Sequence, residues 1–123
     1  FAFPTEYREG VPRALLEAAL ARLPIVSTSM PGCCEVIRDG WSGFLVPPHA
    51  PDHLATKIVD LLRDRGRAAT MACRAEELVV GKFSLQMIAA RHLALYSELL
   101  AQKSRLEASK SDSARLAHQY AHN

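Results

Sequence analysis

A partial parallel α/β sheet of the Rossmann-like kind, followed by C-terminal helices, is the fold that this 123-residue chain predicts. Three observations carry it. Short β-branched or apolar runs alternate with helical stripes over the first half of the chain. The connections between them are short, which implies parallel strands joined by crossover helices. Beyond Pro47-Pro48 the pattern turns entirely helical.

Phe1–Pro4 reads as the end of a buried strand, stopped by Pro4. The loop Thr5–Gly10 leads to a helix whose first position suits Pro12, because that position needs no N–H donor. Its apolar stripe is Leu15, Leu16, Ala19, Leu20 and Leu23. Leu23–Ser27 is a second strand, and Cys33–Arg38 a short helix with Val36 and Ile37 turned inward. Asp39-Gly40 and Ser42-Gly43 are turn signals around Trp41, and Phe44–Val46 is the third strand. Leu54, Ile58, Leu61 and Leu62 mark one helix. Met71, Ala72, Ala75, Leu78 and Val79 mark another after a break at Gly66. A third, capped by Ser84, carries Ile88, His92, Leu95, Tyr96 and Leu99 on its inner stripe. The expected domain spans residues 1–101, and residues 102–123 form a polar tail that is either a helical extension or disordered.

Composition narrows the function classes. Hydrophobic residues make up 49% and charged ones 23%, which suits a packed globular core. No continuous apolar run approaches the ~20 residues of a membrane span. The net charge is +2, and residues 1–101 balance eleven basic against eleven acidic side chains. No basic face is organised to neutralise phosphates in series, so a nucleic-acid partner is excluded. The cysteines Cys33, Cys34 and Cys73 lack both disulfide and zinc spacing; reduced thiols in a cytosolic setting are expected, with Cys33 and Cys34 as small buried fillers. His49 and His53 lack a third ligand for a metal. The chain opens on Phe-Ala-Phe-Pro, without a signal peptide, as the middle of a protein would.

The chemistry concentrates in Glu9–Glu17, EGVPRALLE, where two carboxylates flank a helix start. Backbone N–H groups there favour an anion, and carboxylates can accept hydrogen bonds from sugar hydroxyls beside it. Ligands in open parallel sheets sit beyond the carboxyl ends of the strands. The loops after the first two strands lie on that edge, which places Glu9, Gly10, Glu17 and Gly32 around one crevice. Plainer readings stand beside these. Glu17 could pair with Arg13 along the helix, Glu9 could be a helix-start acid favoured by the dipole, and Glu35 could be a dipole partner or a site residue.

The ordered residues resemble the C-terminal nucleotide-sugar-binding domain of GT-B glycosyltransferases, in the large family 4 group. The segments FPTEYREGVPRALLEA, RLPIVSTSMPGCCEVIRDGWSGFLVPP and FSLQMIAARHLALYSELL carry the likeness, over about residues 1–100. The resemblance implies a catalytic and donor-sugar role for Glu9, backbone contacts from Gly10 and Val11 near the diphosphate, and ribose binding by Glu17. Gly32 and Glu35 are further possible site residues. It also implies a UDP-, GDP- or TDP-linked sugar as substrate, transfer with retention, no cofactor or metal, cytoplasmic placement, and surface-polysaccharide chemistry. Cys34 stands where relatives often carry arginine. The upstream phosphate-binding residues and the N-terminal acceptor domain lie outside the chain, so the isolated chain is expected to be inactive, and membrane association would be peripheral and belong to the intact enzyme. The alternative is a non-enzymatic remnant without ligand that self-associates through an exposed sheet edge.

Overall fold

The computed structural model describes the backbone of residues 1–120 and the side chains of residues 1–107. It divides into two units, Phe1–Ser84 and Leu85–Asn123. The first holds a three-stranded parallel sheet in the order β1-β2-β3, formed by β1 (Ala2–Phe3), β2 (Val26–Thr28) and β3 (Phe44–Val46). The register sets Phe3 beside Ser27 and Ser27 beside Leu45. The helices of this unit are α1 (Arg13–Leu20), α2 (Pro31–Val36), α3 (Pro51–Arg63) and α4 (Arg65–Phe83).

Both faces of the sheet are covered, as parallel sheets require. Successive residues of a strand point to opposite faces, and the segment leading into β2 shows it: Ile25 and Val26 enter different clusters. Ile25 packs with Leu15, Ala19, Cys33, Val36 and Val79. Val26 packs with Phe44, Val46, Leu61, Ala68 and Met71. α4 serves both, through Ala68 and Met71 on one side and Ala75 and Val79 on the other. Small residues at Ala18, Ala19, Ala72 and Ala75, all at most 4% exposed, leave room for α1 and α4 to approach closely.

Several elements differ from expectation, each for a local reason. β1 is an edge strand with Ala2 exposed and Phe3 half-buried, rather than a buried strand. β2 extends to Thr28, because its ladder with Phe44–Val46 continues through that residue. Pro12 is the residue before α1, with extended ψ of 120°. Leu62 is 60% exposed: its neighbour Leu61 takes the inward position, and the next residue of a helix lies about 100° away. The break between α3 and α4 falls at Asp64, whose carboxylate accepts from the Arg67 N–H at 2.8 Å; Gly66 lies inside the first turn of α4. Cys34 is exposed, whereas Cys33 is fully buried as expected.

The second unit is α5 (Leu85–Tyr120). It runs through the segment read as a polar tail as far as Tyr120, and residues 121–123 lie outside the described residues. The stripe expected to face inward is exposed, from Ile88 at 37% to Tyr96 at 61%; His92 stacks on Tyr96 with ring centroids 6.4 Å apart. By length and composition alone, the helical stretch Arg65–Glu107 contains a window apolar enough to cross a membrane. Interspersed Leu, Ala and Val reach that average without any continuous apolar run.

Candidate functional site

The loop after β1 and the start of α2 meet at the carboxyl end of the sheet. Gly32, in the first turn of α2, lies directly against the Glu9–Gly10 peptide. A methyl group at residue 32 would come within 1.9 Å of the Gly10 carbonyl oxygen and 2.9 Å of the Glu9 carbonyl oxygen. Only glycine permits that approach. Two side chains of β2 tie the preceding residues in the same direction. Ser27 Oγ donates to the Phe3 carbonyl at 2.8 Å, and Thr28 Oγ1 donates to the Thr5 carbonyl at 2.5 Å. The Glu9 backbone is thus fixed from β2 and α2 while its side chain stays in solvent. Among the described residues the Gly10 and Val11 N–H groups donate to no protein acceptor.

The carboxylate of Glu9 lies close enough to Cys33 to act on it. Burial pushes the Cys33 thiol above its usual range, opposed by a hydrogen bond with Ser27, and the charge of Glu9 adds to the upward shift. The thiol is buried and protonated, a filler under the loop rather than a nucleophile.

The structure brings Glu9, Gly10 and Gly32 together. Glu9 lines an open hollow of about 410 Å³ with Phe3, Pro4, Thr5, Glu6 and Tyr7. Glu17 lines a different one, of about 270 Å³, with Phe1, Ala14, Ala18, Ala21 and Leu23. α1 begins only at Arg13, so Glu17 lies about 6 Å further along the helix, beside the free edge of β1. No ion pair joins Glu17 to Arg13 among the described residues, and α1 has no acid in its first turn, so neither plainer reading of the two glutamates is realised. Glu35 has a structural partner: its carboxylate accepts from Lys82 Nζ, which also donates to the Glu35 carbonyl at 3.2 Å, tying α2 to α4. It lies beyond the first turn of α2, so a dipole role is not available. Trp41 packs its turn, half-buried, with Arg38 and Arg74 over its ring at 5.6 and 5.1 Å.

Sequence reasoning missed a third hollow, of about 390 Å³, at the carboxyl ends of all three strands. Pro4, Thr28, Val46 and Leu54 form part of its wall, with Glu6 and His49. His49 Nδ1 lies 2.8 Å from Glu6 Oε1, and His49 has a φ of 59°, a left-handed conformation unusual for a side chain of its size. The same edge rule that selected the loops after β1 and β2 applies to the loop after β3, which is the signal that would have found it.

Two outcomes follow from this geometry. Gly32→Ala should lower stability by about 1–3 kcal/mol, through displaced backbone, and shift the amide resonances of residues 9–11; unchanged resonances there would show that the close approach is not formed. Glu35 should titrate below the usual carboxylate range, because Lys82 first hydrogen-bonds and then electrostatically favours its charged form. A depressed folded-state value adds stability above the unfolded value of about 4.3 and loses it as pH falls through the folded one. The stability difference between the wild type and Lys82→Ala should therefore narrow as the solution is acidified, and the Glu35 carboxyl midpoint should rise in the variant.

Comparison with known proteins places this arrangement. The family described as "Glycosyl transferases group 1" matches residues 1–64. The chain is 30% identical, over 81% of its length, to the capsular polysaccharide biosynthesis glycosyltransferase CapM of Staphylococcus aureus, and covers 26% of that protein. It is 37% identical, over 65% of its length, to WcaL of Salmonella typhimurium, a candidate colanic acid biosynthesis glycosyltransferase, and covers 20% of it. Among solved structures, Anabaena Alr3699/HepE in complex with UDP superposes with a TM-score of 0.74 at 27% identity, over 79% of this chain and 27% of that one. The chain thus spans about a fifth to a quarter of the length of these relatives. With that family matching over half its length, the chain belongs to the glycosyl transferases group 1 family.

Proposed function

We propose that this chain forms the donor-side part of a glycosyltransferase site for polysaccharide or glycoconjugate synthesis, and that it binds a nucleotide sugar. Glu9 accepts hydrogen bonds from hydroxyls of the donor sugar. The free N–H groups of Gly10 and Val11 face the diphosphate, and Glu17 holds the ribose hydroxyls. Gly32 contributes by seating the Glu9–Gly10 peptide, and Glu35 by holding α2 to α4. The observation that carries the reading is that seat: a carboxylate on a backbone fixed at the carboxyl edge of a parallel sheet, beside two unused amide donors. One relative, captured with UDP and with UDP-glucose, supports the choice of ligand class; UDP-, GDP- and TDP-linked sugars all remain within it.

Transfer breaks the bond between the sugar's anomeric carbon and the diphosphate oxygen and forms one to an acceptor oxygen. The leaving group departs with the electron pair and needs charge stabilisation, while the acceptor hydroxyl, whose proton passes to the departing diphosphate, must be held on the leaving group's own face of the sugar for retention. That is positioning and electrostatics. Backbone donors at Gly10 and Val11 supply part of it here, and an acceptor-binding partner domain supplies the remainder. Retention of configuration, reaction without a metal and cytoplasmic placement complete the proposal. The isolated chain has no transferase activity of its own.

A titration with UDP, GDP and TDP, followed by amide resonances near Glu17, tests the proposal. Saturable shifts with at least one nucleotide, weakened about tenfold or more in Glu17→Ala, are expected. Wild-type chain unmoved by all three nucleotides contradicts the proposal and favours a ligand-free, self-associating remnant.

A further inference from the structure

His49 follows Pro47-Pro48 in the loop after β3, and Glu6 stands in the loop after β1, three residues before Glu9. Their side chains meet across the carboxyl edge of the sheet, with Nδ1 of His49 2.8 Å from Oε1 of Glu6. That is hydrogen-bond distance, and an Nδ1 that carries its hydrogen donates to a carboxylate whether the ring is charged or neutral. Glu6 is shared by two hollows at this edge. It lines one with His49, Thr28 and Leu54, and the other with Glu9.

The backbone of His49 sets this pair apart from an ordinary surface contact. Its φ of 59° lies in the left-handed region, which is disfavoured for a residue with a side chain and open to glycine. The imidazole is 74% exposed, so burial gives the fold no return for that conformation. What the conformation accompanies is the contact with Glu6. A disfavoured backbone kept at a ligand edge is the kind of feature that functional sites retain.

The remainder of the loop shows what the pair adds. Thr28 holds the Thr5 carbonyl, and the Thr5 hydroxyl accepts from the Tyr7 N–H at 3.3 Å. Further along, Gly32 seats the Glu9–Gly10 peptide against α2. Between those two anchors Glu6 supplies a third tie, to the loop after β3.

We propose that His49 is a positioning residue: through Glu6 it latches the loop that presents Glu9 to the donor sugar. The proposal rests on the donor role of Glu9. An exposed pair is weak, so the latch selects among loop conformations and does not hold up the fold.

Two measurements on the full chain test it, and the first needs no ligand. Backbone order across residues 6–9, read by nitrogen relaxation, should fall in His49→Gly and in Glu6→Ala. It should return in His49→Asn, whose side-chain amide can donate to Glu6 and which tolerates a left-handed backbone. The thermal stability of His49→Gly should not fall, because glycine relieves the disfavoured φ. The second measurement is a titration with UDP-glucose. Its affinity should drop by up to about fivefold in His49→Gly and Glu6→Ala and match the wild type in His49→Asn. Loop order unchanged in both losing variants overturns the latch, as does a His49→Gly chain that loses stability together with affinity. A loosened loop with UDP-glucose affinity intact overturns the positioning role. Wild-type chain that binds no UDP-glucose overturns the donor reading and the role built on it, and loop order then still shows whether the latch forms.

Discussion

The contact between Gly32 and the Glu9–Gly10 peptide is the constraint on which the edge that we propose binds the donor depends. A loop bearing an exposed carboxylate would ordinarily sample many conformations, each at an entropic cost to any ligand that needs one of them. Here the backbone beneath the carboxylate is pressed against α2, while Ser27 and Thr28 hold the two residues at the root of the loop. The side chain keeps its access to solvent and the backbone loses its freedom. That division suits a group meant to accept hydrogen bonds from hydroxyls that arrive and leave.

The two glutamates line different hollows. α1 carries Glu17 away from the loop to the open side of β1, where Phe1 and Leu23 share its hollow. The nucleotide that we propose both glutamates touch would lie along that free edge. A chain spanning about a fifth to a quarter of its relatives' length fits such a division of labour. Residues that hold the Phe1–Ser84 unit together are therefore distinct from those that would complete the reaction. Its core needs only the two clusters on the faces of the sheet.

Much of this was legible in the sequence because local chemistry and tertiary demand agree. Proline and glycine punctuation located the three strands, and a strict stripe located Leu15, Leu61 and Met71. Disagreement arose where a ladder or a neighbour decides. β2 runs to Thr28 because β3 pairs with it there, which composition alone does not show. Leu62 reads as core and lies outside, since one face of α3 cannot hold both Leu61 and Leu62. Glu35 was open between two roles because its partner, Lys82, is 47 residues away. The Glu6–His49 pair joins loops after different strands and leaves no mark at short range. The two glutamates matched the family pattern at once, yet spacing along the chain said nothing of the separate hollows they line.

Hydrogen exchange at the Gly10 and Val11 amides, measured with and without saturating UDP, tests the donor-edge account most directly. These two N–H groups have no protein acceptor among the described residues, so they should exchange readily in the free chain. The account predicts that both slow when the nucleotide binds, as the diphosphate takes up their hydrogen bonds. Saturating nucleotide that protects other amides and leaves Gly10 and Val11 exchanging as before would contradict it.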